Sequence, residues 1–285
     1  MKKKRYLIYV GLVLCLAALL ISVYKPLISV GSNDSILKVK IFKVGRADAI
    51  VLNNCDEYIV IDAGEEEDGQ EILRYLEKHG VDCISKLIIT HFDKDHVGGA
   101  DTLIESIQVD EIILPDYTGS VTDYFDFIQA MEDLKITPTY LNEPMKFSFG
   151  DCTVTVEPPS SYDIADGNKE IDNDLSLITT VEHFDNRFVF LGDAEKKRLR
   201  DWFANGSATS CDFVKLPHHG VYNTELETIV EMLNPKFVAM CTSSKNPADV
   251  QTIQLFKNSG AQVAETRDGD IIVTSDGKNI RMSQK

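Results

Sequence analysis

The densest chemistry in the sequence lies in Thr90-His91-Phe92-Asp93-Lys94-Asp95-His96-Val97-Gly98-Gly99. Two imidazoles and two carboxylates follow directly on an apolar run, Leu87–Thr90. Such groups cannot sit unpaired in a core. A solvated loop is the plain alternative, but this density and spacing of ligand types favours a metal site. Gly98-Gly99 then lets backbone pass close by and opens a helix.

One loop offers too few ligands for a hydrolytic pair of cations, so others must come from elsewhere. Asp193 follows the apolar run Phe188–Leu191 in Gly192-Asp193-Ala194-Glu195 and is suited to bridge two ions. A helix N-cap is its ordinary alternative. His218-His219-Gly220 follows Phe213–Leu216, again a polar pair at a strand end, with a surface histidine pair as its alternative. His79 is set aside because it precedes Gly80 at a helix end, where it suits the dipole. His183 is also set aside. A hairpin turning at Phe184–Arg187 places Asp193 opposite about Ile178, and His183 then lies roughly 17 Å away. Asn173 and Ser176 share the Asp193 end.

These residues need strand ends to hold them. Strands are expected at Ile36–Phe42, Ala49–Leu52, Tyr58–Ile61, Leu87–Thr90, Glu111–Leu114, Thr153–Val156, Leu175–Val181, Phe188–Leu191, Phe213–Leu216, Phe237–Met240 and Ile271–Thr274. Helices are expected at Gln70–His79, Asp101–Ile107, Phe125–Leu134, Glu195–Phe203, Glu225–Leu233 and Asp249–Ser259. The pattern is mixed α/β, with two sheet halves and helices outside, and 147–185 is the stretch richest in loop. Six cysteines form no C-x-x-C pair, which argues against a thiolate zinc site.

The 285 residues carry 29 bases against 45 acids, a net charge of −16. Residues 1–31 hold five of the bases and no acid, so the remainder stands near −21. A body that acidic offers no basic surface for stable nucleic-acid binding. The N-terminus differs. Met1–Arg5 is basic, and Tyr6–Tyr24 runs 19 residues without a charge. As a helix it spans about 28 Å, near the thickness of a hydrocarbon core. The expectation is an uncleaved transmembrane anchor in 1–31 with a cytoplasmic N-terminus, and a hydrolase domain, 32–285, outside the cytoplasm. Secretion after signal cleavage is the alternative.

His-x-Asp-x-Asp-His, Gly-Asp-Ala and His-His-Gly, each at a strand end and in this order, resemble the metallo-β-lactamase fold. The branch most similar contains the hydrolase domain of ComEC-type competence proteins. Val44-Gly45-Arg46-Ala47-Asp48-Ala49 resembles that branch's VGQGDA opening. Ile61-Asp62-Ala63-Gly64 and Asn173-Asp174-Leu175-Ser176-Leu177 resemble two further segments. The resemblance implies a four-layer αββα sandwich, here preceded by one N-terminal transmembrane helix, with two divalent ions, zinc or manganese, at one edge. It gives His91 and Asp93 to one ion, Asp95, His96 and His219 to the other, and Asp193 to both. His218 falls near the leaving group, with exchange between His218 and His219 left open. Asp48, Asp62, Asn173 and Ser176 fall next to the ligands or the substrate.

The implied activity is a metal-dependent hydrolase, foremost a phosphodiesterase using a metal-bound hydroxide that Asp95 orients and a leaving group that His218 protonates. Its substrate would be a small or cell-envelope phosphodiester. β-Lactam or other acyl hydrolysis is a second possibility, and a non-catalytic binding module a third.

Overall fold

The computed structural model describes residues 35–162 and 171–285. Ile36–Lys285 forms one compact unit. The basic N-terminal cluster, the uncharged run Tyr6–Tyr24 and the transmembrane anchor expected in 1–31 lie outside the described residues. Among the described residues no helix is long and apolar enough to cross a membrane.

Two large sheets build the unit. The first has eight strands in the spatial order Ile280–Gln284, Ile271–Ser275, Leu37–Ile41, Ala49–Asn54, Glu57–Ala63, Lys86–Ile88, Ile112–Pro115 and Thr139–Leu141. Pairing is antiparallel up to Glu57–Ala63 and parallel beyond it. The second has seven strands in the order Gln262–Glu265, Phe237–Met240, Phe213–Lys215, Asn186–Phe190, Ile178–His183, Cys152–Glu157 and Met145–Phe149. It too is half parallel and half antiparallel.

Alternation along the strands sends side chains to both faces of each sheet. Ile50, Ile59, Ile88 and Ile113 of the first sheet pack against Val154, Val181, Phe188 and Phe213 of the second. Val51, Val60, Leu87 and Ile112 point outward onto helices through Ile72, Leu76, Leu103 and Phe127. Val189, Val214 and Val238 do the same through Leu199, Trp202, Ile229 and Phe256. Three apolar layers therefore separate four structural layers, helix–sheet–sheet–helix.

The helix Asp68–Lys78 shows how sequence dictates these layers. Ile72, Leu73 and Leu76 form its buried face, acids occupy its first turn and Lys78 its last. Gly80 follows with a φ of +68°, the left-handed conformation that ends a helix.

Several expectations need correction. The expected strand Leu175–Val181 begins only at Ile178, because Ile171–Asp174 turns as a short helix. The hairpin after it turns on Phe184 and Asp185 alone, since His183 pairs with Asn186. This shifts the register by two residues, so Asp193 lies opposite Ser176 and not Ile178. His183 still lies away from the site and bonds Ser275 Oγ at 2.8 Å. Six strands lie outside the expected set: Cys83–Ile84, Gln108–Val109, Thr139–Leu141, Met145–Phe149, Gln262–Glu265 and Ile280–Gln284. Several of these are sheet edges, whose solvent-facing residues dilute the apolar pattern. Cys55, Cys83, Cys152, Cys211 and Cys241 are all free thiols.

Candidate metal centre

The residues of the 91–96 loop are set by a carboxylate far away in sequence. Asp62, the last residue but one of the strand Glu57–Ala63, has a φ of +57°, a left-handed conformation that costs about 1–3 kcal/mol for a residue with a Cβ. Its carboxylate is fully employed. Oδ1 accepts the Thr90 backbone N–H at 2.7 Å, and Oδ2 accepts the Thr90 hydroxyl at 2.7 Å. Oδ2 also accepts His96 Nδ1–H at 2.8 Å. A carboxylate only accepts, so Nδ1 keeps a proton and Nε2 is the nitrogen left to bind a cation.

Gly98 and Gly99 permit the close approach that brings these segments together. A Cβ at Gly99 would lie 2.5 Å from the Gly69 nitrogen and 2.6 Å from the Ala63 carbonyl. One at Gly98 would lie 2.6 Å from the Glu66 nitrogen.

The second sheet contributes Asp193 and His219. Asp193 does not cap the following helix, whose N-cap position is Glu195. Its backbone N–H donates to Ser176 Oγ at 3.3 Å, and its Oδ1 accepts the His218 backbone N–H at 3.2 Å. The segment bearing Asn173 and Ser176 is pinned by Leu177 N–H on the Thr90 carbonyl at 2.9 Å. Buried Arg198 also donates to the Ser176 carbonyl at 2.9 Å. His218 and His219 both adopt left-handed backbone, at φ +46° and +53°. Unfavourable conformations at Asp62, His218 and His219 thus cluster at one place, held by the packing around them.

His91, His96 and Asp193 converge, as do Asp95, His96 and His219, and also Asp48, Asp193 and His219. His96 Nε2 lies 3.4 Å from Asp193 Oδ1, and His219 Nε2 lies 3.1 Å from Asp193 Oδ2 and 3.2 Å from Asp95 Oδ2. His91 Nε2 lies 3.6 Å from Asp93 Oδ2, and Asp93 is the more exposed partner. All three Nε2 atoms are buried and none makes a hydrogen bond. Buried polar atoms are normally paired, so three orphaned imidazole nitrogens aimed at a shared carboxylate mark a cation site. The donor set fits a divalent metal.

Charge in the metal-free protein follows the same geometry. Burial disfavours a charged His219, but Asp193, Asp95 and Asp48 outweigh it and raise its pKa to about 9. His96 is likewise raised, by Asp193, Asp62 and Asp48 against its burial. Asp193 feels a strong burial penalty too, yet His219, His96 and Lys215 hold it well below the usual carboxylate range. Protons therefore compete with cations here, and metal binding weakens as pH falls.

His218 stands apart from this cluster. Its Nδ1 meets Glu195 Oε1 at 2.9 Å, and Glu195 also accepts Asn173 Nδ2–H at 3.3 Å. Glu195 and Lys215 were not among the expected site residues. A single lysine inside the apolar run Phe213-Val214-Lys215-Leu216 was the available signal for the second.

Two mixed sheets clad in helices, with imidazoles and carboxylates gathered at their strand ends, define a metal-dependent hydrolase. The Metallo-beta-lactamase superfamily model matches residues 43–243, more than half of the chain, and the protein belongs to that superfamily. ComE operon protein 3 of Bacillus subtilis is 25% identical over 181 residues, which are 62% of this chain and 22% of that protein. Recombination protein 2 of Haemophilus influenzae is 26% identical over 215 residues, 74% of this chain and 25% of that protein. The chain thus spans about a quarter of these ComEC-type relatives, in keeping with the motifs. Among solved structures, Tm1679, a metal-dependent hydrolase of the β-lactamase superfamily, shares the fold at TM-score 0.57 and 13% identity, covering 87% of this chain and all of that one. YhfI of Bacillus subtilis, a metallo-β-lactamase-fold protein, shares it at TM-score 0.54 and 10% identity, over 86% of this chain and all of that one.

Proposed function

We propose that this protein is a metal-dependent phosphodiesterase held at the cell membrane, with its site outside the cytoplasm. The observation that carries the reading is the set of three buried Nε2 atoms around Asp193 that face carboxylates without a hydrogen bond. His91 and Asp93 would hold one divalent cation and Asp95, His96 and His219 a second, with Asp193 available to either. Two such ions, zinc or manganese, would supply positive charge for the reacting oxygens and lower the pKa of a water. Asp95, partly exposed at the rim, would orient the attacking water. His218 is fixed through Nδ1 by Glu195, which leaves Nε2 to pass a proton to the departing oxygen. Asp62 and Thr90 hold the loop rigid while this happens.

The carboxylate-rich donor set favours a phosphoryl over an acyl centre, because the phosphoryl transition state carries more negative charge. The acidic body repels long polyanions and offers them no basic track. Short or zwitterionic diesters, such as a choline- or ethanolamine-bearing headgroup, should therefore turn over faster than duplex DNA at low salt. Raising salt should help the polyanion more than the zwitterion. A panel of bis(p-nitrophenyl) phosphate, a headgroup diester, duplex DNA and a β-lactam tests this ranking. Efficient DNA cleavage with no turnover of small diesters would reverse it, and turnover of the β-lactam alone would favour acyl hydrolysis.

Membrane attachment rests on the basic cluster before the uncharged 19-residue run. Protease added to intact spheroplasts should degrade the hydrolase unit. Protection until lysis would place it in the cytoplasm.

A further inference from the structure

Lys215 is wholly buried at the end of the strand Phe213–Lys215. An ammonium there is costly to desolvate unless it is paired and hydrogen-bonded. Its partners are specific. Nζ forms an ion pair with Asp48 Oδ2, donates to the Gly192 carbonyl at 3.0 Å and lies 3.6 Å from Asp193 Oδ1. Asp48 is itself buried and belongs to the other sheet's side of the site, in the turn before the strand Ala49–Asn54. The Lys215–Asp48 pair thus ties the two sheets together directly behind the candidate metal centre.

Asp48 occupies an ambiguous place. One of its oxygens falls within the group formed with Asp193 and His219, close enough to share a cation. Yet Oδ1 faces His219 at Nδ1, 3.6 Å away, whereas Asp193 and Asp95 face Nε2 of the same ring. Asp48 therefore lies behind the imidazole, on the side away from the other carboxylates. Two buried carboxylates, Asp48 and Asp193, meet here around one fixed cation.

We propose that Lys215 is the built-in counter-cation of the centre: it neutralises Asp48 and keeps it out of the ligand set, so that Asp193, His219 and the 91–96 loop are left to bind metal. The inference rests on the metal-centre reading but not on the phosphodiester substrate. It makes Lys215 a positioning residue that assembles the site before any cation arrives.

The test compares the purified full-length wild type with Lys215→Met, Asp48→Asn and the double variant. Thermal melts are recorded without metal, and Mn2+ and Zn2+ affinities are measured by titration. Lys215→Met leaves Asp48 charged and alone, and should lower the metal-free melting temperature by about 10 °C. Removing both charges in the double variant should recover most of that loss, as a packing role would not. The double variant should also bind Mn2+ within a few-fold of wild type. A double variant no more stable than Lys215→Met would overturn the pairing. A loss of metal affinity beyond tenfold that persists in the folded double variant, where Lys215 no longer repels the cation, would make Asp48 a ligand and overturn the proposal. Should Lys215→Met fail to accumulate, recovery of folded protein in the double variant supports the pair, and failure of both overturns it. A wild type that binds neither cation refutes the metal centre itself, a result visible without any variant.

Discussion

Asp193→Ala should leave a folded protein that retains little metal and hydrolyses diesters about a thousandfold more slowly than wild type. Asp193 is the residue at which the two halves of the site meet, with Oδ1 toward His96 and Oδ2 toward His219. Cation stabilisation of a transition state is worth several kcal/mol, and about 4 kcal/mol corresponds to that factor in rate. The fold should tolerate the change. The carboxylate accepts one backbone N–H, from His218, the histidines beside it can give up their charge, and Lys215 keeps Asp48 as its partner. Metal analysis and steady-state rates on the same sample decide the matter. Wild-type turnover in Asp193→Ala would remove it from the machinery.

Asp62→Asn should preserve the fold and weaken metal binding about 10–100-fold, the usual effect of disturbing the partner that orients a ligand. The amide keeps a carbonyl oxygen for the Thr90 N–H. Its NH2 group, however, replaces the oxygen that accepts His96 Nδ1–H. The imidazole must then move its proton to Nε2 to be satisfied, and Nε2 is the nitrogen aimed at Asp193. Asp62→Ala should show the same metal defect and also destabilise the protein by about 1–3 kcal/mol, because the buried Thr90 N–H loses its acceptor. Titration with Mn2+ or Zn2+ beside a denaturant melt separates the two effects. An Asp62→Asn variant with unchanged affinity would show that the His96 tautomer is not controlled from this side.

How far the sequence disclosed this arrangement depended on how local the physics was. The 91–96 loop was readable because its groups lie within six residues after an apolar strand, and burial forbids such groups without partners. Asp193 and the His218-His219 pair were readable for the same reason, each following an apolar run. The division of labour between His218 and His219 was not. It depends on left-handed backbone at both residues, which sends one ring to Asp193 and the other to Glu195. The Asp62–His96 bond joins residues 34 positions apart and leaves no periodic trace.

The hairpin register failed for a different reason. A two-residue turn of this kind favours Asn or Gly, and here Phe184 takes the left-handed position at φ +52°. Its ring lies where a Cβ on Gly277 would come within 2.5 Å, and Asp185 N–H bonds the Gly277 carbonyl at 2.9 Å. A tertiary contact thus replaces the local turn signal. Lys215 was hidden by its surroundings, since a charge inside an apolar strand acquires meaning only once Asp48 is seen to meet it from the other sheet.

The central claim is that the imidazoles and carboxylates gathered around Asp193 bind divalent cations that the reaction requires. The most direct measurement follows metal content and turnover of bis(p-nitrophenyl) phosphate in one preparation, as purified, after chelation, and after Mn2+ or Zn2+ is returned. The expected result is close to two cations per chain as purified, loss of turnover together with the metal, and recovery of both on re-addition. Undiminished turnover in metal-free protein would contradict the account.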